Sequence, residues 1–98
     1  MTRNRKSLQE SFTEFHGSNP AVYRALERLA QQMWERGRRR IGIGMLFEVL
    51  RWDYYMQTHD PNSDLKLNNN YRAYYARLLM NNHPEWVGLF KTKKVKGE

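Results

Sequence analysis

Cysteine is absent from this 98-residue chain, which excludes disulfides, thiolate metal sites and thiol nucleophiles together. No run of about 18 apolar residues occurs, so no segment reads as a membrane-spanning helix. The opening Met1-Thr2-Arg3-Asn4-Arg5-Lys6 is followed by Ser7-Leu8-Gln9-Glu10 and lacks the apolar stretch of a secretory signal, so a cytoplasmic protein is expected. Gly42-Ile43-Gly44 lacks the third glycine of the nucleotide-cradling loops. His16, His59 and His83 have no metal-ligand spacing, and His59-Asp60 is the only adjacent acid and base pair, a pairing frequent by chance. Neither a catalytic residue nor a cofactor is therefore expected. Acidic residues are scarce as well, with ten Asp and Glu against 17 Lys and Arg giving a formal charge of +7. Such a cation is drawn to polyanions, of which nucleic acid is the commonest.

What the chain does hold is enough for one core. Forty per cent of its residues are hydrophobic, and three Trp, six Tyr, four Phe and five Met supply much of the apolar area. A single domain over residues 7–95 is expected, between a mobile basic arm at 1–6 and a frayed tail at 96–98.

Ser7-Leu8-Gln9-Glu10 is a capping box and predicts a short helix over about 7–15, stopped by Gly17. Asn19-Pro20 predicts a second start, with Asn19 as cap. From there Val22, Leu26, Leu29 and Met33 make one apolar stripe over 20 to about 36, and Gly37 ends it. Ile41 and Ile43 alternate around Gly42 and predict a short strand. Met45, Leu46, Val49, Leu50 and Met56, flanked by Phe47 and Trp52, predict a third helix to about Gln57, apolar over most of its circumference and so expected to be the central, most buried one. Thr58 to Asp64 is dense in turn formers and reads as an exposed connection, after which Leu65 and Leu67 either touch the core or add a strand rung. Asn68-Asn69-Asn70 is placed to cap a helix over about 69–82 whose inner stripe is Tyr71, Tyr74, Tyr75, Leu78 and Leu79, with Ala76 mainly on the other side. Pro84-Glu85-Trp86 reads as a turn pinning Trp86 and Val87 to the core, and Leu89 to Val95 has strand composition with a basic edge.

This order of elements resembles the winged helix-turn-helix plan. The resemblance implies a mainly α domain with a small two- or three-stranded sheet: Ile41 to Ile43 as first strand, Met45 to Gln57 as support helix, Asn69 to Asn82 as recognition helix and Leu89 to Val95 as wing. Two departures are visible, a connection from about Thr58 to Asn68 far longer than the usual turn of about 3–4 residues, and one wing strand in place of two. A second resemblance rests on Phe15-His16-Gly17-Ser18-Asn19-Pro20-Ala21-Val22-Tyr23, on Phe47-Glu48-Val49-Leu50-Arg51-Trp52 and on the block from Leu67 to Leu78. These look like a family of small phage and prophage proteins, which implies a viral or mobile-element setting in a bacterial cell and supplies no site residue.

Asn69, Asn70, Arg72 and Arg77 are the candidates for a major groove, because Arg bonds two acceptors on guanine and Asn does likewise on adenine. Lys91, Lys93 and Lys94, with Arg38, Arg39 and Arg40 beside the adjacent strand, are the candidates for phosphates. Against these stand plainer roles: the Asn residues as caps, the Arg residues in surface ion pairs and the lysine run as a solvated face. Tyr71, Tyr74, Tyr75, Trp34, Trp52 and Trp86 raise base stacking, but an aromatic stripe at helical period points to core. Glu48 lies on a helix with little polar surface and, if buried, needs a partner such as Arg51 or Arg77.

The leading expectation is therefore double-stranded DNA binding in a phage regulatory or accessory role. Two alternatives stay open: a protein-interaction module that binds and modulates a host nucleic-acid or defence machine, and an RNA or single-strand binder. No membrane partner is expected, and homodimerisation is left open.

Overall fold

The computed structural model describes residues 6–91, in which four helices and two 3-10 turns enclose one core. The helix α1 (Leu8–Ser18) starts at the predicted capping box: the Ser7 hydroxyl accepts from the Glu10 N–H at 3.1 Å, and the Glu10 carboxylate accepts from the Ser7 N–H at 3.0 Å. These contacts hold the Glu10 carboxyl below its usual range. α1 runs through Gly17, past the predicted stop, because Gly17 keeps a negative φ and the last turn is closed by Asn19. Both the N–H and the side-chain amide of Asn19 donate to the Phe15 carbonyl, at 2.8 and 3.0 Å. The side chain predicted to cap the next helix thus faces backward, and α2 (Pro20–Glu35) begins with proline alone.

α2 buries Val22, Leu26 and Ala30, and it ends as expected at Gly37, whose φ of +88° is the left-handed conformation that closes a helix. The Arg38 N–H reaches back to the Met33 carbonyl at 3.1 Å and the Gly37 N–H to that of Trp34 at 2.9 Å.

The predicted sheet does not form among the described residues. Extended Gly42 caps α3 (Ile43–Gln57), so the helix takes Ile43 as its first residue and leaves Ile41 alone to pair. Ile41 makes one isolated parallel bridge to Phe90, with its N–H on the Leu89 carbonyl at 2.8 Å. A ladder needs several successive rungs, and a single residue cannot supply them. The wing predicted over Leu89 to Val95 reduces to buried Leu89 and Phe90, its residues from Thr92 onward lying outside those described. Over the described residues the fold is mainly helical, without the sheet of a winged helix.

The central helix is α4 (Arg72–Asn82), entered through the 3-10 turn Asn69–Tyr71, and not α3 as the sequence pattern suggests. Phe12 of α1 meets the Tyr75 ring edge-on at 4.8 Å and stacks on Tyr74 at 5.1 Å, and Phe47 of α3 meets Tyr75 at 6.0 Å. Covered from several directions, α4 buries Tyr75, Ala76 and Leu79 completely, so Ala76 belongs to the core and not to an outer face. α3 carries more apolar residues than one packed side can cover. Leu46 and Phe47 are buried, whereas Met45, Val49, Trp52 and Met56 face solvent.

The second 3-10 turn, Pro84–Trp86, drops Trp86 into the core beneath α4. Val87, predicted to be pinned beside it, is 83% exposed, because the chain turns at Gly88 with φ +78° and presents Leu89 instead. His83 stacks on Trp86 at 3.9 Å and bonds Glu27 of α2 at 2.6 Å, linking the two ends of the core. Across the long connection Leu67 is buried and its N–H returns to the Leu65 carbonyl at 2.9 Å, so this pair touches the core and adds no strand rung. Glu48 is largely exposed and paired with Arg51 at 2.6 Å. No described helix is long and apolar enough to cross a membrane.

Candidate nucleic-acid interface

The start of α3 is built for close approach. Gly42 offers no side chain to its first turn, and the N–H groups of Met45 and Leu46 both return to the Gly42 carbonyl. At Gly44 a Cβ would lie 3.3 Å from Nη1 of Arg72, so the missing side chain lets that guanidinium rest against the turn. Arg72 is steadied there by its Nε, which donates to the Asn69 carbonyl at 3.0 Å.

Two shallow clefts meet at this point. One, of about 380 Å³, is lined by Gly44, Asn69, Asn70, Arg72 and Lys91. The other, of about 290 Å³, is lined by Arg40, Gly42, Gly88 and Lys91. Lys91 borders both, because the Ile41–Phe90 bridge fastens the end of the described chain beside the start of α3. Among the described residues, no carboxylate lines either cleft. The partial positive charge of a helix N-terminus adds to that of the three side chains, so the local field favours an anion.

The sequence candidates divide. Asn70, Arg72, Lys91 and Arg40 are brought together here. Asn69 lines the cleft, but its side-chain oxygen is taken by Nη2 of Arg51 at 2.5 Å, and the same nitrogen donates to the Leu67 carbonyl at 2.8 Å. The cap of the following turn is Asn68, whose side-chain oxygen accepts from the Asn70 N–H at 2.8 Å. Arg39 turns toward α2: its guanidinium lies 3.7 Å from the Trp34 ring centre and donates to the Trp34 carbonyl at 3.0 Å. Arg38 is exposed and lines neither cleft. Arg77 is half-buried on α4 with its guanidinium 5.9 Å from the Tyr74 ring centre, away from the cleft lining. Lys93 and Lys94 lie outside the described residues.

The sequence reading paired Arg51 with Glu48 but missed that the same guanidinium also holds the Leu67 carbonyl and the Asn69 side chain, and it missed the seat that Gly44 makes for Arg72. The signal for the second was the pair Gly42 and Gly44 just before an apolar helix. Tyr71, Tyr75 and Trp86 are core residues, in line with their helical spacing, and Trp52 is the exposed exception. No cluster of three potential metal-ligating residues occurs among the described residues. Compared with known proteins, the chain matches no family model, and neither a curated protein nor a solved structure matches it.

Proposed function

We propose that the protein binds the phosphate backbone of a nucleic acid, foremost double-stranded DNA, through the clefts at the start of α3. The observation that carries this reading is the convergence of Arg40, Arg72 and Lys91 on an open helix N-terminus, with no carboxylate among the described residues that line it. Phosphate contacts position a protein without reading sequence, and the burial of α4 favours that mode over base readout. On α4 only Arg72, Asn81 and Asn82 are exposed, which leaves no continuous polar face to lie in a major groove. A phage accessory role remains part of the proposal and rests on the resemblance of the sequence blocks alone.

Three phosphate contacts correspond to a slope of about −3 in the logarithm of affinity against the logarithm of salt. Fluorescence anisotropy with a labelled duplex of arbitrary sequence, from low to moderate salt, measures this. Arg72→Glu and Lys91→Glu should each flatten the slope by about 1 or more and weaken binding similarly for unrelated duplexes. Binding that ignores both changes, or no binding at low salt, defeats the proposal. Tighter binding to single strands with quenched tryptophan emission would favour the single-strand reading instead.

A further inference from the structure

We infer that α3 is a dimerisation helix, and that its exposed apolar stripe packs antiparallel against the same stripe of a second copy of this chain. The stripe is Met45, Val49, Trp52 and Met56, which are 47%, 37%, 66% and 64% exposed. Their spacing of four, three and four residues is the seam of a helix pair, with Val49 and Met56 in one core register and Met45 and Trp52 in the other. None of these four side chains is needed to close the monomer core, which is complete with Leu46 and Phe47 on the other side of the helix.

The pattern is its own complement. A two-fold axis beside the middle of α3, between Leu50 and Arg51, sets Met45 of one copy opposite Met56 of the other and Val49 opposite Trp52. With Tyr55 at the flank, 45% exposed, the apolar area available is about 500 Å² per copy, so a pair buries about 1,000 Å², the size at which specific interfaces begin.

Charge selects the antiparallel arrangement. The N-terminal end of α3 carries Arg40, Arg72 and Lys91, whereas the loop after α3 carries the exposed Asp60 and Asp64, the latter bonded to the Tyr55 hydroxyl and followed by Lys66; Asp53 instead faces the cleft it shares with Arg24 and Arg28 of α2. Antiparallel packing brings the basic end of one copy to the acidic end of the other. It also holds the two basic ends about 22 Å apart along the helices at 1.5 Å per residue, well beyond the screening length of about 8 Å at physiological salt. A parallel pair would superpose like charges at both ends.

Sedimentation equilibrium of the purified protein, without nucleic acid, tests this independently of the phosphate-binding reading. The mass should rise from one chain to two between about 1 μM and about 1 mM, the range suited to so small an interface. Trp52→Glu should raise the dissociation constant at least about 30-fold while leaving helicity and cooperative unfolding intact. Met56→Glu serves as the second variant should Trp52→Glu disturb the fold. Because the native chain has no cysteine, orientation can be read by oxidation. A mixture of Met45→Cys and Met56→Cys proteins should form the mixed disulfide, with little self-linkage of either. A single-chain mass throughout the range, association that survives both charged variants, or preferential self-linkage of the cysteine variants would overturn the inference, and with it the assignment of a second copy to this face.

Discussion

Tyr75 offers the sharpest test of how the core is built. Its ring is 0% exposed and packed by Phe12, His16 and Phe47, yet its hydroxyl has no hydrogen-bond partner among the described residues. A buried polar group left unpaired costs about 1–3 kcal/mol. Tyr75→Phe removes the hydroxyl and keeps the ring, leaving a gap of about 10 Å³ whose cost is about 0.2 kcal/mol. The variant should therefore be more stable by about 1–2 kcal/mol, which for a domain of this size raises Tm by about 4–8 °C per kcal/mol. Urea and thermal unfolding followed by circular dichroism at neutral pH give both quantities. The same residue makes a second prediction at high pH. Burial, with a smaller contribution from Tyr71, pushes the Tyr75 hydroxyl far above its ordinary value. In the unfolded chain the phenol loses its proton near pH 10 while the folded chain retains it. The native state then binds more protons, so its stability falls as pH rises through and above about 10, by about 1.4 kcal/mol per unit. Tyr75→Phe lacks this loss, and the stability difference between variant and parent should widen above about pH 10. A variant less stable by about 1 kcal/mol or more at neutral pH would refute the reasoning, because it would mean that the hydroxyl is satisfied in the folded protein.

Two further expectations follow from single contacts. Gly37→Ala should cost about 1 kcal/mol in urea unfolding, because φ is +88° there while the space around the added Cβ is open, so the whole effect is backbone conformation; a neutral result would mean that α2 ends differently in solution. Arg51→Met keeps the apolar stem but releases the Leu67 carbonyl and the Asn69 side chain, and should cost about 1–2 kcal/mol while loosening duplex binding through the freed turn before α4, an effect measured by unfolding and anisotropy on the same sample.

The helices were legible in the chain because their signals are local. Ser7 and Glu10 cap α1 through bonds within one turn, Gly37 ends α2 through its own φ, and the Val22, Leu26, Leu29 and Met33 stripe of α2 follows from a 3.6-residue period, with Val22 and Leu26 buried, Leu29 and Met33 partly so, and Ala30 added to the core by packing. Composition likewise established the absence of thiol chemistry and the excess of positive charge. The candidate site was legible in part: Asn70, Arg72, Lys91 and Arg40 stand out as cations and polar groups, but nothing local says that residues 40 and 91 share a cleft.

Tertiary structure decided the rest, since burial depends on which elements stack and not on how apolar each one is. α3 is the more hydrophobic helix, yet α4 became the centre because α1, α3 and the turn at Trp86 all pack on it, which left the expected reading helix without a continuous exposed polar face. Ile41 and Ile43 alternate like a strand, but extended Gly42 let α3 begin at Ile43 and left one bridge where a sheet was expected. That same bridge carries Lys91 to the start of α3 and so assembles the cationic clefts. The sequence determined the helices, the caps at Ser7 and Gly37 and the charge; packing determined which helix is covered, which apolar face is left exposed, and where the charge converges.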